Sequence, residues 1–424
     1  MWHNHVLLAV LIFTLTYTAI ISEKINRTAI AIFGAVLMIV SQVISQEHAF
    51  GIIDFNTIGL LIGMMIIVNI LKKTGVFQYV AIRTAKIAKG DPWKIIVSFS
   101  VITAISSALL DNVTTILLIA PVTFVITDTL EMNPIPFLIP EVIAANVGGT
   151  ATLIGDPPNI MIGGATGLGF MDFLINLAPV VIIIFVITIF ILKIIYGKSL
   201  KVDEKNRMKI FEFDEAKTIK DRRLLIKSLT VLSLTIIGFA LHQFVGLESA
   251  TVALFGGSFL LLISKIEPEE ILIEIEWTTI FFFIGLFILV GSLEEVGIIE
   301  ILARKMMELT GGNLFMTTIF VLWLSAIASA FLDNIPFVAT MIPLIKNVAA
   351  ISGMNVGPLW WALALGACLG GNGTLVGASA NVIVGGMLEK NGHKLSFLNF
   401  MKVGFPLMLI SVIISTVYLI IFYV

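Results

Sequence analysis

Asp111-Asn112-Val113-Thr114 places an acid, an amide and a hydroxyl inside an apolar stretch that runs from Ile95 to Ile126, and Asp333-Asn334 does the same between Phe320 and Ile345. Two further interruptions follow them, Gly155-Asp156-Pro157-Pro158-Asn159 and Gly377-Ala378-Ser379-Ala380-Asn381. Oxygens of Asp, Asn, Thr and Ser form a hard-ligand set suited to Na+, or to a proton carried on a carboxylate. Proline removes a backbone donor and keeps the residue before it out of helical angles, so the first Gly-Asp-Pro-Pro segment must stop a helix. Its counterpart has no proline, and there the break rests on glycines and Asn372. A helix broken inside a membrane frees N-terminal amides that attract anions and C-terminal carbonyls that attract cations.

Two clusters are therefore expected. One takes Asp111, Asn112 and Thr114 with the loop from Gly155 through Asp156 to Asn159, flanked by Thr152; the other takes Asp333, Asn334 and Thr374 with the loop from Gly377 through Ser379 to Asn381. Na+ is expected at Asn112, Asn159, Asn334 and Asn381. Asp111 and Asp333 are expected to couple, because a proton and a cation compete for one buried carboxylate. Simpler roles exist for the same residues. Asp-Asn is a favoured helix cap, and glycine permits close helix approach. Asp156 has no acidic mate, since its counterpart is Ala378. Cys368, the single cysteine, reads as small apolar filler. The five histidines (His3, His5, His48, His242, His393) fall at termini or in loops, without metal-ligand spacing.

The elements that position these residues come in two copies. Asp111 and Asp333 are 333 − 111 = 222 positions apart, and GGTATLIGDPPNIMIGG (from Gly148) matches GGNGTLVGASANVIVGG (from Gly370) at 8 of 17 positions with that same offset. Gly34/Gly256, Gly63/Gly285, Gly75/Gly297 and Gly90/Gly312 keep the register. Two homologous halves with glycine-interrupted apolar segments at corresponding places are the signature of a secondary transporter.

With 58% hydrophobic and 13% charged residues, the 424-residue chain is suited to lipid. Spans are read at about 6–22, 27–44, 54–71, a hairpin at 93–128, a broken span at 138–168 and a span at 173–195. The first, ending before Glu23-Lys24, lacks a basic n-region and a cleavage site and reads as a retained helix. Five crossings per half are odd, so the second copy must be inverted. With the central loop in the cytoplasm, only Arg304, Lys305 and Lys346 of the 26 basic residues fall on the other side, and both termini lie outside. The segment 294–315 reads as a loop carrying Glu294, Glu295, Glu300 and Glu308 where its homologue is basic. The expected fold is an all-α polytopic membrane protein: repeat 1 over 1–196, a solvated cytoplasmic linker over 197–224, and inverted repeat 2 over 225–424. Gly197-Lys198-Ser199 lacks the upstream glycine of a nucleotide-binding loop, and no nucleophile stands beside a base, so the chain is not read as an enzyme. Apart from a coupling ion, Na+ or H+, no cofactor is expected, and no nucleic-acid partner.

LDNIPFVATMIP (from Leu332), GDPPN (from Gly155) and ALALGACLGGNGTLVGASAN (from Ala362) resemble the ion transporter superfamily, in the branch of arsenite permeases (ArsB), NhaD-type sodium/proton antiporters and P-protein-like permeases. The resemblance covers nearly the whole chain. It implies re-entrant hairpins tipped by Asp111-Asn112 and Asp333-Asn334, broken helices at Gly155 to Asn159 and Gly377 to Asn381, and a homodimer working as an elevator. Dicarboxylate carriers in this group present Ser-Asn-Thr at the tips. Here the tips are acidic, and no buried Arg or Lys is read beside them. The expectation is an inner-membrane secondary active transporter of a small inorganic ion or weak acid, of arsenite or anion permease type, driven by H+ or Na+. A sodium/proton antiporter, a citrate- or dicarboxylate-like carrier, and a passive anion channel or scaffold remain the alternatives.

Overall fold

The computed structural model describes residues 2–22, 24–197 and 200–424; the readings that involve Glu23, Lys198 and Ser199 lie outside the described residues. Among these residues there is no strand. The first half contains α1 (Trp2–Ser22), α2 (Arg27–Val40), α3 (Gln46–Gly51), α4 (Phe55–Lys73), α5 (Val76–Ile87), α6 (Pro92–Leu109), α7 (Asn112–Thr129), α8 (Ile135–Gly149), α9 (Pro157–Thr166) and α10 (Phe170–Tyr196). After the short α11 (Glu204–Lys209) come α12 (Arg222–Leu241), α13 (Ser249–Ser264), α14 (Pro268–Leu272), α15 (Trp277–Glu295), α16 (Ile298–Thr310), α17 (Leu314–Phe331), α18 (Asn334–Ser352), α19 (Gly357–Gly370), α20 (Ser379–Lys390) and α21 (Phe397–Phe422). An offset of 222 carries α4 onto α15, α6 onto α17, and the starts of α7 and α9 onto those of α18 and α20. The segment 294–315, expected as a loop, is largely the amphipathic helix α16, as its homologue is α5.

Packing between the halves is reciprocal. Helix α4 lies along α13, and its counterpart α15 lies along α2; α7 meets α20, and its counterpart α18 meets α9. Within each half, α6 packs on α8 and α17 on α19. These exchanged pairs are what a twofold relation between the copies produces. With odd crossing parity, that twofold runs in the membrane plane and the repeats are inverted. Span lengths alone leave open whether α6–α7 and α17–α18 cross the bilayer or turn back. Their tips, at Asn112 and Asn334, are buried and linked to the other half, Asn112 through Asn146 and Asn334 to Asp156.

Lipid is as apolar as leucine, so helices in it associate through close packing. A Cβ on Gly63 of α4 would lie 2.4 Å from the Ala253 carbonyl carbon of α13, and one on the homologous Gly285 would lie 2.8 Å from that of Ala31 in α2. Nearer the breaks, a Cβ on Gly148 would lie 2.2 Å from Ala104 O, and one on Gly370 2.5 Å from Ala326 O. Backbone cannot yield there as a side-chain tip can. Gly148→Ala is expected to lower stability by about 1–3 kcal/mol through overpacking of α6 on α8, read as a fall in detergent-solubilised unfolding temperature. One core of buried side chains runs through both halves, while Leu15, Phe190, Phe255 and Ile421 face outward, as lipid-facing residues do.

The linker expected to be a solvated connector is instead docked. Ile210 is fully buried with Ala81, Ile82, Ala85 and Phe99, and the Lys220 N–H donates to Thr74 O at 3.0 Å. Glu215 accepts from Lys86 Nζ at 2.5 Å and from Arg83 Nη1 at 3.0 Å. The Lys86 ammonium, with a backbone N–H and Arg83 assisting, holds the Glu215 carboxyl down from 4.5 to about 2. A carboxyl lowered on folding stabilises above its unfolded value and loses that contribution as pH falls through its folded value. Limited proteolysis is therefore expected to leave the segment 200–221 protected at neutral pH and to open it progressively between pH 4.5 and 2. In Glu215→Gln the segment is cleaved faster already at neutral pH.

Candidate functional site

Four helix N-termini converge at the centre. Three directly follow an acid in sequence, α7 Asp111, α9 Asp156 and α18 Asp333, and the fourth, α20, follows Ala378. Asp111 Oδ1 accepts from the Thr114 N–H at 2.7 Å, and Asp333 Oδ1 from the Ile335 N–H at 3.1 Å, so both do act as caps. Asp156 does not. It is buried, its side chain makes no capping bond, Oδ1 accepts from Asn334 Nδ2 at 3.4 Å, and Oδ2 has no protein partner.

The breaks are braced by amides. Asn159 Nδ2 donates to the carbonyls of Thr150 (3.1 Å) and Thr152 (2.8 Å), and Asn381 Nδ2 donates to those of Gly371 and Thr374 (both 2.8 Å). These are carbonyls that an interrupted helix leaves without partners. Thr152 and Thr374 donate their hydroxyls to Ala108 O and Ala330 O at 2.5 Å, pinning each break to the hairpin of its own half. Their hydroxyl protons are thus committed to structure, although both residues were expected at the ion. Gly155 and Gly377 serve contact as well: a Cβ would lie 2.7 Å from Ser107 O and 2.8 Å from Ser329 O respectively.

The residues expected in two clusters are partitioned differently in the structure. Each hairpin was assigned to its own half's loop, but Asn334 of the second tip bonds Asp156 of the first loop. At the other tip, Asn112 Nδ2 donates to Asn146 Oδ1 (3.1 Å), and Asn146 Nδ2 donates to Asn381 Oδ1 (3.0 Å) and Asn372 Oδ1 (2.9 Å) of the second half. The twofold demands this exchange, since it brings α7 to α20 and α18 to α9. Asn146 escaped the sequence reading because its counterpart, 222 residues on, is Cys368. That cysteine is no mere filler: its Sγ donates to Asn159 Oδ1 at 3.5 Å, mirroring Asn146 on Asn381.

The absence of a cationic partner also needs correction. Arg27, counted among the loop charges, sits at the first turn of α2, pairs with Asp333 Oδ2, and donates to Ser379 Oγ at 2.9 Å. Ser379 in turn donates to Asp333 Oδ2 at 3.1 Å, and the guanidinium lies 5.1 Å from the centroid of the Phe282 ring. Asp156 lies within electrostatic reach of both Asp111 and Asp333. Glu276, preceding α15, lies within electrostatic reach of Asp111 and Arg27, and four carboxylates against one guanidinium leave excess negative charge, which in a membrane interior must be met by protons or cations.

A cavity of about 610 Å³ opens beside Lys24 and Asn26 and reaches Arg27, Asp333 and Ser379 along Tyr17, Thr340 and Val382. Tyr17 Oη donates to Pro336 O at 3.1 Å, fixing α1 against the second tip. His242, one of the histidines expected at termini or in loops, is buried, with Nδ1 2.7 Å from Leu247 O. Among the described residues no group of His, Cys, Asp and Glu could hold a metal ion.

The family described as "Citrate transporter" matches residues 17–366. An uncharacterized transporter of Mycobacterium tuberculosis is 43% identical over 417 residues, covering 97% of each chain. The P protein of Homo sapiens is 34% identical over 505 residues, covering 99% of this chain and 60% of that protein. The crystal structure of the Alcanivorax borkumensis YdaH transporter, described as having an unusual topology, aligns with TM-score 0.59 at 14% identity, covering 88% of this chain and 86% of that one.

Proposed function

The chain belongs to the citrate transporter family, and from that premise we propose that it is a secondary active transporter carrying a small anion or weak acid together with H+ or Na+. Its relatives are transporters, and it is a multi-pass membrane protein of that kind, not an enzyme. The observation that carries the anion reading is the Arg27–Asp333–Ser379 cluster at the floor of the cavity. A guanidinium recognises carboxylates and oxyanions, and here it is occupied by an internal carboxylate. An anion entering past Lys24 competes with Asp333 for Arg27. It wins when a proton or Na+ neutralises Asp333, which makes anion and cation travel together.

In this reading Asp111, Asp156 and Asp333 share the coupling charge, while Asn112, Asn159, Asn334 and Asn381 supply Na+ ligands if sodium is the driver. Alternating access follows by elevator motion within a homodimer. Helices α6–α9 and α17–α20, interlocked across the halves, move against the scaffold of α2, α4, α13 and α15. Residues 1–196 and 225–424 are the two membrane repeats, with 197–224 cytoplasmic and both termini outside an inner membrane. Arsenous acid, an arsenite permease substrate, fits as a neutral weak acid held by Asn and Ser. The two acids around Asp156, Asp111 and Asp333, favour a second reading, sodium/proton antiport. Proteoliposomes holding a pH dye, challenged with Na+, Li+, chloride, arsenite or citrate, separate the two. Proton or Na+ movement driven by an anion gradient supports the proposal. Proton movement on Na+ alone supports antiport, and uncoupled current overturns both.

A further inference from the structure

A further intramembrane acid lies outside the site. Glu141, in the second turn of α8, is fully buried; Thr123 Oγ1 of α7 donates to its Oε1 at 2.7 Å, and its Oε2 has no protein partner. The counterpart position is Leu363, so the two copies differ here and the twofold does not demand the acid.

Helix α8 packs against α6, α7, α10, α19, α20 and residues 371–373. Their charged and titratable groups are Lys94 on α6, Asp128 on α7 with Asp111 at its cap, Asp172, Lys193 and Tyr196 on α10, Cys368 on α19, and Glu389 and Lys390 on α20. Thr123 is the side chain that hydrogen-bonds Glu141, and among the described residues no ion pair reaches it. An ionised carboxylate with one hydrogen bond and no counter-charge is not sustained in such a place, so the acid holds a proton, bound at Oε2 while Oε1 accepts from Thr123.

Glu141 is also placed to use that proton. Asn146, which joins the two halves, lies five residues further along α8, about 7.5 Å of helix rise. On the other side the Thr127 hydroxyl donates to the Thr123 backbone carbonyl at 2.9 Å, bracing the turn of α7 that presents Thr123 to Glu141. The geometry points to Glu141 as a proton-carrying residue of the transport cycle, distinct from the anion site at Arg27. This rests on the proposed coupled transport. The step is simple: the Oε2–H bond breaks, the proton passes to water on one side of the membrane, and the carboxylate regains a proton from the other.

The test combines two measurements on the full chain, wild type and Glu141→Gln. Infrared difference spectra of wild type are expected to contain a protonated-carboxyl carbonyl band that is absent from the Gln protein. In proteoliposomes with citrate and, in parallel, arsenite, Glu141→Gln is expected to cut anion-driven proton movement at least about tenfold while anion exchange stays within about twofold. Thr123→Val, which removes the hydroxyl without touching the acid, shifts the pH at which proton movement is half-maximal. The proposal is overturned if the band survives in Glu141→Gln, if proton movement is unchanged, or if exchange falls as far as net transport. Wild-type protein that moves no protons with any anion overturns the transport coupling as well, which distinguishes that failure from a failure of Glu141 alone.

Discussion

Arg27→Gln is expected to reduce anion transport by about 100-fold or more, the loss that follows from removing some 2.7 kcal/mol of binding to a charged group. Asp333 is then left without its guanidinium, facing Ser379 and the end of α18. Breaking a buried pair is strongly destabilising, whereas an exposed one matters little. The Arg27 side chain is 36% and that of Asp333 16% exposed, so this pair is intermediate and a stability loss of about 1–3 kcal/mol is expected. The double variant Arg27→Gln/Asp333→Asn separates the two effects. It removes the orphaned charge and is expected to recover most of the unfolding temperature, while transport stays lost because the anion has no guanidinium to meet. Recovery of transport in the double variant would show that Arg27 serves only to neutralise Asp333.

Asp156→Asn is expected to have the opposite signature. Asp156 is buried, caps nothing, and faces Asn334 of the other half with its second oxygen unpartnered. Removing its charge takes away a desolvation penalty and no ion pair, so stability is expected to hold or rise. Net uptake against a gradient is expected to fall at least tenfold, because the carboxylate no longer holds a proton or cation in transit. Exchange of labelled for unlabelled anion, which needs no net change in coupling charge, is expected to persist. Calorimetric unfolding alongside paired uptake and exchange assays reads all three quantities. An Asp156→Asn protein that concentrates anion like wild type would remove Asp156 from coupling.

The parts of this site that repeat were legible in the sequence. Asp111 and Asp333, Asn159 and Asn381, and Thr152 and Thr374 recur at one offset in apolar surroundings, so each copy vouches for the other. What the copies do not share stayed hidden. Arg27 corresponds to Ser249, Asn146 to Cys368 and Glu141 to Leu363, and comparison of the halves gives no signal for any of them. Arg27 was further masked by Lys24, which made the pair look like ordinary positive loop charge. A polar residue flanked by Ala145 and Val147 was the one cue to Asn146, and a charge inside the apolar run 135–149 the cue to Glu141. The exchange of clusters between halves was also out of reach, because an offset along the chain says which residues are equivalent and not which ones touch. The linker's docking turned on a few scattered apolar residues, Ile210 with Leu200, Val202 and Phe213, among charges whose partners Lys86 and Arg83 lie more than a hundred residues earlier.

The central claim is that substrate reaches the interlocked tips through the cavity beside Arg27 from the cytoplasmic face. Val382 lines that cavity and is exposed, with an apolar side chain that forms no hydrogen bond, while native Cys368 is buried. The most direct measurement is labelling of Val382→Cys by a membrane-impermeant thiol reagent, applied separately to each side of oriented vesicles. The account predicts labelling from the cytoplasmic side, slowed by the anion that the proteoliposome assay identifies as transported and unaffected by anions that are not. Labelling only from the opposite side, or a cytoplasmic rate that no transported anion changes, would contradict it.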